Sequence, residues 1–349
     1  MTDVLIHAEP LQAFAASAFA KAGMPEKDAA LEAEVLVWAN LRGIDSLGVI
    51  RIDGYLDRID QGLMNPRPDI QIIKETAAII FADADRAFGP IVTTLVMEKA
   101  IAKAREVGVS WGLIRNLTHQ GAMAYYTQLA AAQGLAGIIA VTNPPNMAPP
   151  GARAAGTHNS PIAIAVPGKN RPPISLDMAT SVAAGGKLEV ASDKGVPIPL
   201  DWALDAEGKP TSDPNNFKFL QPAGGYKGYG LALMFETLTS LLAASPILTP
   251  AQRDPASVPY GVQNSFLCVV DIATFTDLDT YQSDVDDLID SMHGLPTVAG
   301  ANPILVPGEI ELRVLGERTA SGIPLPAATA ERLRSVAANL DLSLPAELA

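Results

Sequence analysis

The sequence predicts an α/β fold in two lobes, and three observations predict it. The chain is 349 residues long, more than one compact core usually holds. Hydrophobic residues make up 48% of it and charged residues 18%, far from the composition of disorder, so a large core is buried. From about residue 75 onward, short β-branched runs alternate with helical patterns, the signature of an α/β layer.

The elements follow in order. After Pro25, EKDAALEAEVLVWANLRG has an acidic first turn, strong helix formers and a closing Gly43, which predicts a helix with its stop signal. A second helix is predicted from Ser46 to about Arg58, packing through Val49, Ile52, Leu56 and Ile59. Leu47, Arg51 and Tyr55 form a separate stripe on it, free to face a ligand. MNPRP at 64–68 punctuates the chain and places a boundary near 70–75. Strands are predicted at Ala77–Ala82, Val109–Arg115, Gly137–Thr142, Ile162–Val166, Pro173–Leu176 and Phe266–Val270. Helices are predicted at Ile91–Val107, Ala122–Gln133, Lys227–Ala244, Asp279–His293 and Pro307–Ser321, with a last helix in PAATAERLRSVAANL. The Pro-rich stretch from Ser245 to Pro259 reads as a surface connection.

The net charge of −13 and the absence of a Lys/Arg cluster argue against nucleic acid. An anionic substrate would need a locally placed Arg or Lys, because the overall field repels it. Neither a signal peptide nor an 18-residue apolar span is evident, so a cytoplasmic protein with no membrane partner is expected. The single cysteine, Cys268, lies in the apolar run FLCVV and reads as a buried strand residue. The four histidines never form a close ligand pair, so no metal is expected. His7 and His293 read as structural. His119 stands between a strand and a helix, where it either caps the helix or meets a ligand. No G-x-G-x-x-G follows a strand and GGK at 185–187 continues with Leu, so neither a Rossmann fingerprint nor a P-loop is present.

Eight strings, in order, carry a resemblance over nearly the whole chain: RGIDSLGVIRIDGY (42–55), IRNLTHQGAMAYY (114–126), VTNPPNMAPPGAR (141–153), NSPIAIAVP (159–167), LDMATSVAAGGKLE (176–189), GVPIPLDWALDAEGKPTSDP (195–214), GGYKGYGLALM (224–234) and PGEIELRVLGERTASGIPLP (307–326). Together they resemble the malate/L-lactate dehydrogenase type-2 family. The resemblance implies a non-Rossmann NAD(P)-binding domain of the sulfolactate-dehydrogenase-like type and a helical domain built from both chain ends. The expected division is 1–75, completed by 322–349, and 76–321. It also implies a homodimer, with the active site completed between subunits.

The implied activity is hydride transfer between NAD(P)H, NADPH slightly favoured, and a small 2-oxo or 2-hydroxy acid. Arg51 is the implied carboxylate clamp through a bidentate pair. Tyr55, Asn143 and Asn159 are the other implied substrate contacts. The implied cofactor residues are His119, Gln120, Gly121, Ala122 and Met123; Asp177, Met178 and Ala179; Tyr226 and Lys227; and Pro307, Gly308 and Glu309. The last group equally fits a well-capped helix with Pro307 at its first position.

One departure bears on chemistry. Where the family carries D-S-H-G-V with a proton-donating histidine, this chain has Leu47. In one branch a Ser and an Asp flank that histidine; here Ser46 remains, but Lys187 replaces the Asp. A lost proton donor costs roughly 10²–10⁴-fold in rate, so either another donor exists or none is needed. His119, His158 and Lys187 are the candidate donors, with Ser46 as a surviving relay member. Alternatively the substrate is a cyclic imine carboxylate, which accepts hydride without an enzyme acid, or the chain binds without turnover.

Overall fold

In a computed structural model, residues 3–349 are described. In chain order the elements are β1 (Val4–Ile6), α1 (Ala8–Lys21), α2 (Glu26–Leu41), α3 (Ile52–Asp60), β2 (Gln71–Glu75), β3 (Ile79–Asp83), α4 (Gly89–Val107), β4 (Val109–Leu117), α5 (Ala124–Ala131), β5 (Leu135–Thr142), β6 (Ile162–Val166) and β7 (Ile174–Met178). There follow α6 (Gly185–Lys194), β8 (Ala203–Leu204), β9 (Phe219–Leu220), α7 (Tyr226–Glu236), α8 (Leu248–Arg253), β10 (Gln263–Asp271), α9 (Leu278–His293), α10 (Glu309–Ser321), β11 (Ile323–Leu325) and α11 (Ala327–Leu340).

Seven strands form the central sheet in the order β2-β3-β4-β10-β5-β6-β7. Only β3 and β4 run parallel, joined by α4 as a crossover; the other neighbours are antiparallel. The α4 and α5 side of the sheet buries one core, from Val92, Met97 and Tyr126 to Ile114 and Leu267. The opposite side packs Leu113, Ala140 and Phe266 against Phe235 of α7. A third core joins the two chain ends: Phe14 and Phe19 of α1, Leu36 of α2 and Tyr55 of α3 pack with Leu333 and Val336 of α11. The β1–β11 pairing, Val4 opposite Leu325, closes that assembly.

Several elements differ from the sequence reading. Residues 45–51 are two short 3-10 turns, Asp45–Leu47 and Val49–Arg51, and the α-helix starts only at Ile52. Gly48 breaks the run in an extended conformation (φ −93°, ψ −155°), and Asn40 explains why glycine stands there. A Cβ at Gly48 would lie 2.2 Å from Asn40 Oδ1, which accepts the Val49 N–H at 2.8 Å. Pro307 is not the first helical residue: Gly308, left-handed at φ 98°, is the N-cap and Glu309 begins α10. The helix predicted to Ala244 changes to a π turn at Thr237–Leu241. Within 245–259 the short α8 interrupts the connection. Cys268 lies on β10 but is half-buried, and partial burial raises its thiol pKa.

Candidate active site at one end of the central sheet

The antiparallel order brings chemically capable residues to a single sheet end. His119 and Gln120 follow β4, Gln263 opens β10, Asn143 follows β5, His158 and Ser160 precede β6, and Thr180 follows β7. Six of these carry a buried polar atom with no protein partner among the described residues: Gln120 Oε1, Gln263 Oε1, Asn143 Oδ1, His158 Nδ1, Ser160 Oγ and Thr180 Oγ1. Native interiors satisfy nearly all such atoms, so a cluster of them marks a place made for a polar ligand.

His119 meets Tyr55 here. The Tyr55 hydroxyl lies 2.5 Å from His119 Nδ1, and the Gly121 N–H donates to the same nitrogen at 3.3 Å. Tyr55 is only 2% exposed, its ring edge-on to Phe88 at 5.8 Å between centroids. Its hydroxyl therefore meets the imidazole rather than open cleft. Burial, then the charges of Arg51, Arg58 and His158, push the His119 pKa down to about 3. An imidazole proposed above as a proton donor is therefore neutral at neutral pH in the free protein. His158, also held down to about 3 by burial, contacts Asn143 Nδ2 through Nε2 at 3.1 Å.

Arg51 is the helical N-cap of α3, one turn before Tyr55, and its charge acts on both Tyr55 and His119. Its Nε donates to the Ser46 carbonyl at 2.6 Å. It lines a cleft of about 280 Å³ with Asn40, Asp45, Ser46, Gly186 and Arg332. Leu47 is half-buried on the preceding 3-10 turn. Lys187 is exposed on α6, its Nζ 6.0 Å from the Trp202 ring centroid, and has no contact with His119. Asn159 is tied to Asn146, accepting from its Nδ2 at 3.0 Å while its own N–H donates to Asn146 Oδ1 at 2.8 Å.

The four segments expected to hold a cofactor converge on β7. The Ala124 N–H donates to Asp177 at 2.8 Å, joining the 120–123 loop to the strand end. Burial raises Asp177 to about 6 despite the Ala124 and Met123 N–H groups, which act against it. Its side chain keeps an open edge, so this is a carboxyl in a confined crevice rather than in dry core. Ala223 N–H donates to Thr180 O at 2.8 Å, seating the Tyr226–Lys227 start of α7 beside the same strand end. Ser175 N–H donates to Pro307 O at 3.0 Å, seating Pro307–Glu309 on the strand's other side. Glu309 caps its own turn through Val306 N–H and pairs with His293, each at 2.9 Å. Beside it a cleft of about 260 Å³ opens between Pro172, Pro173, Ile289 and Leu312, flanked by Arg171 and Arg313.

An elongated dinucleotide fits this stripe on the chain's own features. Orphaned polar atoms run along the sheet end from Gln120 to Thr180, and Lys227 is exposed at the start of α7. Gly225 has a positive φ of 63° and nothing within 4 Å of a Cβ position, leaving its backbone open to close approach. The sequence named the stripe's segments and both Asn143 and His158, but not the contact between these two or the orphaned atoms; strand order alone unites them, and no local pattern encodes it.

Fold and site together define an α/β enzyme with a buried, neutral imidazole at one end of its central sheet. The malate/L-lactate dehydrogenase family model matches residues 6–334, so the chain belongs to that family and is a dehydrogenase of it. It is similar to L-sulfolactate dehydrogenase of Methanothermobacter thermautotrophicus, 33% identical over 92% of this chain and 93% of that one. Ureidoglycolate dehydrogenase (NAD(+)) of Escherichia coli is 31% identical over 87% of each chain. Among solved structures, malate dehydrogenase from Entamoeba histolytica has a TM-score of 0.94 at 27% identity, covering 98% of this chain and 99% of that one. A δ1-piperideine-2-carboxylate reductase from Pseudomonas syringae has a TM-score of 0.83 at 26% identity, covering 95% and 99%.

Proposed function

We propose that the protein transfers hydride between NAD(P)H and a small 2-oxo or 2-hydroxy acid. The observation that carries this reading is the row of six unpartnered buried polar atoms along the sheet end that also holds the His119–Tyr55 pair. Relatives named for sulfolactate, malate and ureidoglycolate support the substrate class.

In this reading the cofactor, when bound, supplies the hydride. Asp177, Tyr226, Lys227 and Pro307–Glu309 hold it, Lys227 as the cation for phosphate. Arg51 takes the substrate carboxylate, which offsets one of the charges that depress His119. His119 then faces the substrate oxygen or nitrogen. Asn143 and His158 line the same sheet end, while Asn159 steadies its loop through Asn146.

A second reading is favoured by the neutral state of His119: a cyclic imine carboxylate accepts hydride at a protonated C=N and needs no proton from the enzyme in that step. Half-buried Leu47 suits an apolar ring. We further propose that residues 1–75 with 322–349 form one domain and 76–321 the other, and that the working unit is a homodimer.

The test is a substrate panel followed at the nicotinamide absorbance band with NADH and NADPH separately. It contains 2-oxo acids, with and without ammonia or methylamine, and cyclic imine carboxylates. Turnover of 2-oxo acids alone supports the first reading, and turnover confined to cyclic imines the second. No turnover of any member overturns both.

A further inference from the structure

We infer that Tyr55 is a positioning residue that locks His119 in the tautomer carrying its proton on Nε2. The inference rests on the reading that His119 faces the reacting atoms and assigns how it does so.

Nδ1 of His119 is approached by two groups. The Gly121 backbone N–H can only donate, so its long 3.3 Å approach favours a lone pair on Nδ1 without fixing it. A proton on Nδ1 would point into that N–H. The Tyr55 hydroxyl, much closer at 2.5 Å, donates to the same lone pair and holds it in place. A neutral imidazole whose single Nδ1 lone pair is shared by these two donors carries its hydrogen on Nε2. The nitrogen left for a ligand is a donor, suited to the oxygen of a polarised carbonyl.

The hydroxyl is held for this task. Tyr55 is wedged against Phe19 and Phe88, with ring centroids 6.5 and 5.8 Å away, and is almost fully buried. The charged and titratable groups around the pair are Arg51 and Arg58 on the α3 side, His158 from the loop before β6, Glu32 of α2 and Tyr126 of α5. The arginines and His158 oppose a second proton on His119. Burial foremost, with the Glu32 charge, opposes loss of the Tyr55 proton. Both residues therefore stay neutral, and the hydrogen bond between them keeps one direction.

Long-range proton–nitrogen spectra of the full-length 15N-histidine protein test this directly, with His119→Gln assigning the signals. The expected wild-type pattern is an unprotonated Nδ1 and a protonated Nε2, unchanged between about pH 5 and 8. Tyr55→Phe keeps the ring packing and should give averaged signals of both tautomers. On the substrate that the panel identifies, it should lower kcat roughly 10- to 100-fold with KM within about twofold, because orientation rather than binding is lost. It should also introduce a pH-dependent limb as the His119 pKa rises. A protonated Nδ1 in the wild type, or a Tyr55→Phe spectrum identical to wild type, overturns the proposal. If the panel yields no substrate, the enzyme reading fails while the spectra still decide the tautomer.

Discussion

Arg318 grips Asp45 with both arms of its guanidinium, Nη1 to Oδ1 at 2.6 Å and Nη2 to Oδ2 at 3.0 Å, across 273 residues of chain. The same Nη1 donates to the Asn40 carbonyl, and Asn40 Nδ2 donates to Asp45 Oδ1 at 2.7 Å. The C-terminal half of α10 thus clamps the turn that carries Ser46 and Arg51. A lysine keeps the charge but not the fork. Arg318→Lys should lower stability by about 1–3 kcal/mol, read by urea unfolding, and raise KM for the carboxylate substrate more than it lowers kcat. Unchanged KM would separate this clamp from the site.

Arg51 itself should behave as a binding residue. Only its Nε has a protein partner among the described residues, so the two Nη groups are free to meet a carboxylate. Arg51→Ala should reduce kcat/KM by roughly 10²-fold, about 3 kcal/mol, mostly through KM. Arg51→Lys should recover little of it, because a point charge cannot replace the bidentate pair. Steady-state kinetics with both variants check this, and wild-type values in both would return Arg51 to an ordinary surface role.

The sequence disclosed elements where one chemical pattern dominates and concealed those set by tertiary partners. α4 and α9 were legible from helical spacing and from the β-branched strands or acidic turns beside them. α1 was not, because AEPLQAFAASAFAK is so rich in alanine that its polar and apolar faces barely differ. α6 begins with two glycines, which read as a loop. β1 and β11 are three residues each and exist only through one another. In the site, Arg51 and Tyr55 looked like neighbours on one helix face. The Gly48 break, enforced by Asn40 at a distance of eight residues, falls before both and takes Leu47 out of their helix, while the bond from Tyr55 to His119 depends on a strand end that no local pattern reveals. The unpartnered polar atoms were invisible because a side chain's hydrogen bonds depend on which strands lie side by side.

α7 and the π turn after it leave an apolar strip in the open. Leu231, Met234, Leu238, Leu241 and Leu242 are 37–56% exposed on successive turns, next to a helix start that we assign to the cofactor. Contiguous apolar surface of this kind marks an interface, and a second copy of the chain is the partner proposed above. Replacing Met234 and Leu241 together by Glu should convert the dimer to monomer in sedimentation velocity and reduce activity with it. A wild type that sediments as a fully active monomer would remove the proposal.

Glu32 gives the protein a pH-dependent stability that can be read without any substrate. It is 1% exposed on α2, and its Oε2 has no hydrogen-bond partner among the described residues. Burial moves its pKa from an ordinary 4.5 up to about 8, so the folded protein holds a neutral carboxyl there at neutral pH. The unfolded chain loses this proton as pH rises through 4.5; the folded chain keeps it until about 8. Between those values the native state binds more protons, so the stability present below pH 4.5 declines through the window and is lost as pH passes about 8. Glu32→Gln fixes the neutral form in nearly the same shape and removes that dependence. Measured by urea unfolding, the variant should gain on wild type as pH is raised from 4.5 to 8, by up to about 4 kcal/mol. If the two stability curves run parallel across that range, Glu32 is not the buried acid that the fold makes it.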